Sequence, residues 1–251
     1  MQVRLLKTGS NTAFMNMAID ESVLAHVSKG LSIPTLRFYG WKPAAVSIGY
    51  FQSMEDEVDV ELCKEKGIDC TRRVTGGGAV FHDKEVTYSL IIPENSFVSN
   101  DILESYKQIC GGIISGLQLF GIKSEFKPLN DIIAYGKKIS GNAQTRRLGC
   151  ILQHGTIIQS VDVKRMFSIL KVPDEKIKDK LIKSVEERVT SVNNILGKEV
   201  SFEKIGECLI KGFSSALNLE LVEGKLSSSE IGLAERLVKE KYETKEWNFK
   251  R

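Results

Sequence analysis

The chain has 251 residues, of which 42% are apolar and 27% charged, with a formal net charge of +3. These proportions suit a soluble globular protein with room for one large, well-filled domain. So small and scattered a charge does not by itself suggest a nucleic-acid-binding domain, and no apolar run approaches the roughly 20 residues of a membrane helix. Five cysteines, an odd number without metal-type spacing, point to reduced thiols. The opening MQVRLLKTGSNTAF lacks the apolar core of a signal peptide, so the expected location is the cytoplasm.

Asn11 or Thr12 can cap a first helix carrying Phe14, Met17, Ala18, Ile19 and Leu24 at helical spacing, with Gly30 at its end. LRFYGW and AVSIGYFQ read as strands around a Lys42-Pro43 turn. VDVELCKEKG is a short helix stopped by Gly67. IDCTRRVT is a strand running into a glycine run, and VTYSLIIP a strand leaving it, ended by Pro93. From Ser99 to Phe120 the spacing of Ile102, Tyr106, Ile109, Ile113 and Leu117 predicts an amphipathic helix closed by Gly121. DIIAYGKKISGNAQTRRLGCILQHGTIIQ then reads as antiparallel strands with a hairpin turn at Tyr135-Gly136-Lys137. After Pro173, DEKIKDKLIKSVEE, FEKIGECLIKGFSSAL and SSSEIGLAERLVKEKY are helical. Strands first and helices later, without a βαβ rhythm, predict one α+β domain over 1–251 with a mixed or antiparallel sheet flanked by helices.

Three stretches carry chemistry. In RRVTGGGAVFHD, residues 72 to 83, three adjacent glycines are costly to order unless their amides must approach something closely. The run is neither a P-loop nor a dinucleotide fingerprint, but successive amides can form an anion-binding concavity, and Arg73 can grip a phosphate or carboxylate with two hydrogen bonds. In KKISGNAQ, alternation puts Lys138 and Ser140 on one face, with Ile139 and Gly141 opposite. Lys137 reads as a surface lysine, while Lys138 alone fits a surface or an anion-binding role equally. Asn130-Asp131 is ordinary turn chemistry or an oxygen pair for a nucleotide or Mg²⁺. His154, in the apolar ILQHGTII, reads more readily as a satisfied core histidine than as a catalyst. A Cys150–His154 thiol pair is excluded by spacing, since four strand residues span about 13 Å. Cys150 is expected to be a packing residue.

Taken in order, RRVTGGGAVFHD, LNDIIAYGKKISGNAQ and LQHGTII resemble lipoate–protein ligases of the biotin/lipoate ligase superfamily. NMAIDE resembles the family's first-helix motif, KSVEERVTSV a later helix and EWNF the end of its large domain. The likeness is greatest to archaeal ligases whose large domain is a separate polypeptide. It implies a biotin/lipoate ligase-like catalytic domain that uses ATP and Mg²⁺ to activate lipoate as lipoyl-AMP. The acyl group would then pass to a lysine of a lipoyl domain, on a 2-oxoacid dehydrogenase E2 subunit or the glycine cleavage H protein.

On that resemblance Lys138 is catalytic. Arg73, Gly78, Ala79, Val80, Phe81, Asn130, Asp131 and Lys138 hold ATP, with Asp131 at the metal. Arg73, Gly77, His82, Lys138, Gly141 and His154 line the lipoate site. The single-chain ligases' smaller accessory domain has no counterpart after EWNFKR, so a separate small protein is expected to supply it. Two alternatives stand beside this reading. One is a cysteine-dependent octanoyltransferase drawing on acyl carrier protein, although EFKPLNDIIAYG holds no cysteine where that group places one. The other is a lipoyl-carrier binding module without catalysis. A biotin ligase is the weaker reading, because its Gly-Arg-Gly-Arg-type loop is absent.

Overall fold

The computed structural model describes residues 1–171 and 178–250. The chain opens with a strand absent from the sequence reading, β1 (Gln2–Asn11), followed by α1 (Ala13–Ser28) and β2 (Thr35–Trp41). Thr12 is the N-cap of α1, its side chain accepting from the Met15 amide. Strands β1 and β2 pair in parallel, so α1 is the crossover of a βαβ unit that the sequence reading had excluded. β3 (Ala45–Ile48) ends before Gly49, shorter than AVSIGYFQ suggested. It pairs in parallel with β4 (Asp69–Arg72) after the short helices α2 (Met54–Glu57) and α3 (Val60–Glu65). Antiparallel to it runs β5 (Val80–His82), which completes a three-stranded sheet.

The larger sheet takes β6 (Glu85–Pro93), then, after α4 (Ile102–Gln118), the run β7 (Ser124–Lys127), β8 (Asp131–Ala134), β9 (Lys137–Arg147) and β10 (Cys150–Ile158). Among the described residues it has eight strands in the order β11-β1-β2-β6-β10-β9-β8-β7, where β11 is Glu220–Glu223. The expected α+β class with a mixed sheet flanked by helices is therefore the fold. The remaining helices are α5 (Val163–Ile169), α6 (Lys178–Arg188), α7 (Val192–Leu196), α8 (Phe202–Ala216), α9 (Ser228–Leu237) and α10 (Lys245–Asn248), with a π-helical turn at Val238–Tyr242. The first residues of the predicted DEKIKDKLIKSVEE helix lie outside the described residues.

Period-two alternation divides the apolar side chains between the two faces of the large sheet. Leu36, Phe38 and Tyr88 pack with Ile109, Ile113 and Phe213 of α4 and α8. Leu6, Tyr39, Ile91 and Leu152 pack with Met17, Val23 and Leu24 of α1. Helices α4 and α8 approach so closely that a β-carbon at Gly212 would collide with the backbone of Gly116. α9 is docked by Arg4 of β1, which donates to both oxygens of the buried Glu230, at 2.8 and 2.5 Å. The β4–β5 loop of the small sheet and the β8–β9–β10 end of the large one line a common cavity.

Candidate active site

Residues 73 to 79 form the glycine loop between β4 and β5, and the two arginines at its start do different work. Arg72 points away from the cavity. Its guanidinium donates to the carbonyls of Tyr50, Gln52, Trp247, Asn248 and Lys250, fastening the 247–250 segment beside the loop. Arg73 is 5% exposed and turns inward, donating to Ser47 O and Oγ and to the carbonyls of Gly76 (2.8 Å) and Gly78 (2.7 Å). Nη1 thus ties the guanidinium to β3 at Ser47, while Nη2 alone holds the loop. Burial lowers the Arg73 guanidinium to about 10, which leaves it charged near neutral pH. Among the described residues no carboxylate pairs with it, and the amides of Gly76, Gly77, Gly78 and Ala79 donate to no protein group. A buried cation without a counter-ion beside unused amides is a receptor for negative charge.

Lys138 also lines the cavity. Simple alternation would set it against Gly141, yet both line the cavity. The reason is a bulge: Ile132 pairs with Ser140, but Ile133 pairs with Lys138, so Ile139 is an extra residue in β9. Ile139 and Ser140 are both fully buried, while Lys138 reaches a β-carbon's distance from Gly141. The predicted face of Gly141 is corrected accordingly. The Lys138 ammonium lies 2.6 Å from Asp131 Oδ1, in contact but outside hydrogen-bonding alignment. Lys137, half-buried, does not line the cavity and donates to Glu186 O. Asn130, expected at a nucleotide, is tied to Asn142 instead: its Nδ2 donates to Asn142 O, and its own carbonyl accepts from the Asn142 amide and side chain.

Two buried polar chains back the cavity. In the first, His82 Nδ1 lies 2.7 Å from Glu85 Oε1 and its Nε2 lies 2.8 Å from Ser47 Oγ. A carboxylate can only accept, so Nδ1 donates, and Nε2 is placed to accept from the Ser47 hydroxyl. Trp41 stacks on the imidazole at 3.9 Å; its indole N–H donates to Thr87 Oγ1, which donates to Glu85. In the second chain His154 Nε2 meets Thr75 Oγ1 at 2.7 Å, and its Nδ1 lies 3.6 Å from Asp20 Oδ2. Burial alone would raise the Asp20 carboxyl. The Arg37 charge 2.7 Å away, His154 and the Ser89 hydroxyl outweigh burial and hold it below its ordinary value. Burial lowers His154, with Asp20 only partly opposing, so the ring is neutral.

The cavity encloses about 330 Å³, within the range of small-molecule sites. Its apolar lining includes Met17, Trp41, Val80, Phe81 and Ala143, and its polar lining includes Lys138, Arg73 and the glycine loop. Of the residues singled out in the sequence, Arg73, Gly77, Gly78, Ala79, Val80, Phe81, His82, Asn130, Lys138, Gly141 and His154 all line it. Asp131 stands just behind, against Lys138. No group of three His, Cys, Asp or Glu that could hold a metal ion occurs among the described residues, and Asp131, expected at the metal, is a single carboxylate lying against Lys138. No cysteine lines the cavity, and Cys150 packs in the α1-side core, where burial raises its thiol. Ser47, Glu85, Asp20 and Asn142 went unnamed in the sequence reading. Glu85, three residues after His82, was the readable one.

No helix among the described residues is long and apolar enough to cross a membrane. Residues 12–214 match the family model of the lipoyl protein ligase A/B catalytic domain. Octanoyltransferase LipM of Brevibacillus brevis is 37% identical, covering 100% of this chain and 99% of its own. Among solved structures, the bipartite lipoate protein ligase of Thermoplasma acidophilum, described with its E2 lipoyl domain, has a TM-score of 0.89 at 34% identity. It covers 99% of this chain and 96% of its own. A lipoate-protein ligase A bound with ATP follows at 0.85 and 33%, covering 99% of each chain. The expected ATP-dependent ligase activity is corrected by the curated relatives, a run of octanoyltransferases alike over the full chain, while enzyme status stands. The chain belongs to the lipoyl protein ligase A/B catalytic-domain family.

Proposed function

We propose that the chain is an acyltransferase that moves an octanoyl group from a thioester on an acyl carrier protein to a lysine amine on a lipoyl domain. The observation that carries this reading is a largely apolar cavity lined also by a cation and by amides without a protein partner, in a chain whose full-length relatives are named octanoyltransferases. The acyl tail lies along Trp41, Val80 and Phe81. The carbonyl oxygen, which gains negative charge as the thioester is attacked, meets Lys138 and the loop amides. Fixed donors of this kind stabilise the transition state without reorganising. The lipoyl domain as acceptor follows the partner described with the Thermoplasma protein. Its cytoplasmic setting keeps thiols reduced.

The loop's amides and the charge of Arg73 would also suit a phosphate, but a thioester is already activated. The transfer therefore calls on neither ATP and Mg²⁺ nor an accessory protein. The test is to incubate the purified chain with a lipoyl domain and one of two donors, octanoyl-loaded acyl carrier protein or free octanoate or lipoate with ATP. Acceptor mass is then followed. Modification from the thioester without nucleotide is expected; modification from the free acid with ATP alone overturns the reading.

A further inference from the structure

An acyl thioester can be attacked directly by the acceptor amine or first by a nucleophile of the enzyme. The second route needs a nucleophile in the cavity, and this cavity offers no thiol: Cys63 and Cys70 lie behind the small sheet, Cys110 in the main core, Cys150 in the α1-side core and Cys208 on α8. It does offer a hydroxyl. Ser47 Oγ, His82 Nε2 and Nδ1, and Glu85 Oε1 form a continuous chain with links of 2.8 and 2.7 Å. All three residues line the cavity and are at most 6% exposed.

The surroundings favour a reactive role. Ser47 sits mid-strand in β3 between Val46 and Ile48, whose side chains pack in the small-sheet core, so Ser47 faces the cavity. Arg73 Nη1 donates to Ser47 Oγ at 3.2 Å, an arrangement that favours negative charge on that oxygen. The Trp41 stack and the Thr87 bond to Glu85 hold the ring and its carboxylate in register. A hydroxyl, an imidazole that takes its proton, and an acid that orients the imidazole are the three parts of an acyl-transfer nucleophile, recognised by geometry rather than by sequence order.

We propose that Ser47 accepts the acyl group as an ester during transfer, with His82 as its base and Glu85 as the residue that positions His82; this rests on the acyltransferase reading. Ser47 Oγ attacks the thioester carbonyl carbon while its proton passes to His82 Nε2. The C–S bond breaks and the sulfur leaves as a thiol carrying that proton. The acceptor lysine's neutral amine then attacks the ester carbonyl and gives a proton to His82. The C–O bond breaks, and Ser47 recovers its hydroxyl proton from His82. The sum is thioester plus amine to amide plus thiol.

The test incubates the full chain with S-octanoyl-pantetheine and no acceptor, followed by acid quench, intact mass and peptide mapping. Wild type and a variant lacking all five cysteines are expected to gain one octanoyl group on Ser47, stable to neutral hydroxylamine. Ser47→Ala loses the adduct, Ser47→Cys gives a hydroxylamine-labile one, and Glu85→Gln slows formation by at least about 10²-fold. Thermal melts check that each variant is folded. An adduct on a cysteine overturns the proposal. So does folded Ser47→Ala transferring to a lipoyl domain at the wild-type rate, a result that leaves the acyltransferase reading standing. Wild type that neither forms the adduct nor modifies the lipoyl domain from the thioester overturns both.

Discussion

A β-carbon placed on Gly141 would lie 3.0 Å from Lys138 Nζ: the glycine is the space into which the cavity's lysine folds. The blocked atoms are the far end of a flexible side chain, so a substitution displaces the ammonium rather than the backbone. Gly141→Ala is expected to leave the melting temperature within a few degrees of wild type and to lower kcat about tenfold or more, equivalent to some 1.4 kcal/mol in the barrier. Gly141→Val should be harsher in rate. Equal losses of rate and stability would place the defect in the sheet rather than in the lysine.

Lys138→Ala removes a charged donor from the position where oxyanion charge is expected. The rate should fall about 10²- to 10³-fold with the fold intact. Lys137→Ala, which loses only an exposed bond to the Glu186 carbonyl, should transfer at close to the wild-type rate. Steady-state kinetics of the pair, with circular dichroism as control, checks the assignment of faces.

Acid should unfold this protein in two stages. His154 is held below its ordinary value in the folded state by burial. The unfolded chain therefore binds that proton first, and stability falls as pH drops below about 6.5. Asp20 is also held low, so its contribution is full above about 3.9 and is lost as pH falls further through its folded value. His154→Gln should flatten the first stage in urea titrations across pH. Asp20→Asn strands the fully buried Arg37 and should cost about 3–5 kcal/mol at neutral pH.

Arg72→Met keeps the apolar stem but removes the donors that hold the carbonyls of residues 247–250. Protease cleavage near Trp247 should become faster, and stability should drop by about 2–4 kcal/mol as buried carbonyls lose their partners. Limited proteolysis with mass mapping, beside a melt, reads both effects. Unchanged protection of that segment would show the clamp to be incidental.

Sequence reached the helices through their 3.6-residue spacing and the cavity residues through unusual local composition. GGG after two arginines is informative because glycine is costly without a reason. It could not reach β1, whose KTGSN end lacks apolar alternation, nor β5, which has only three residues and is defined by pairing with β3. The division of labour between Arg72 and Arg73 is invisible in a row of two identical letters, since it depends on which side of β4 each leaves. The bulge at Ile139 is likewise silent until the partner register is known. Asp20 and Ser47 became part of the site only through contacts with residues 17 to 134 positions away. The ligase expectation failed for a different reason: the motifs describe a pocket for an activated acyl group, which enzymes with different donors share.

Arg73 also acts at a distance through the peptide groups it binds. The Gly76 carbonyl shares a peptide plane with the Gly77 amide, and the Gly78 carbonyl with that of Ala79. A cation bonded to each oxygen draws electron density through the resonant C–N bond and makes those two N–H groups more acidic donors. The guanidinium need never touch a ligand to be felt by it. Replacing Arg73 with lysine, whose single nitrogen would have to serve Ser47 and both loop oxygens that Nη1 and Nη2 now divide, would leave the field and lose the polarised amides.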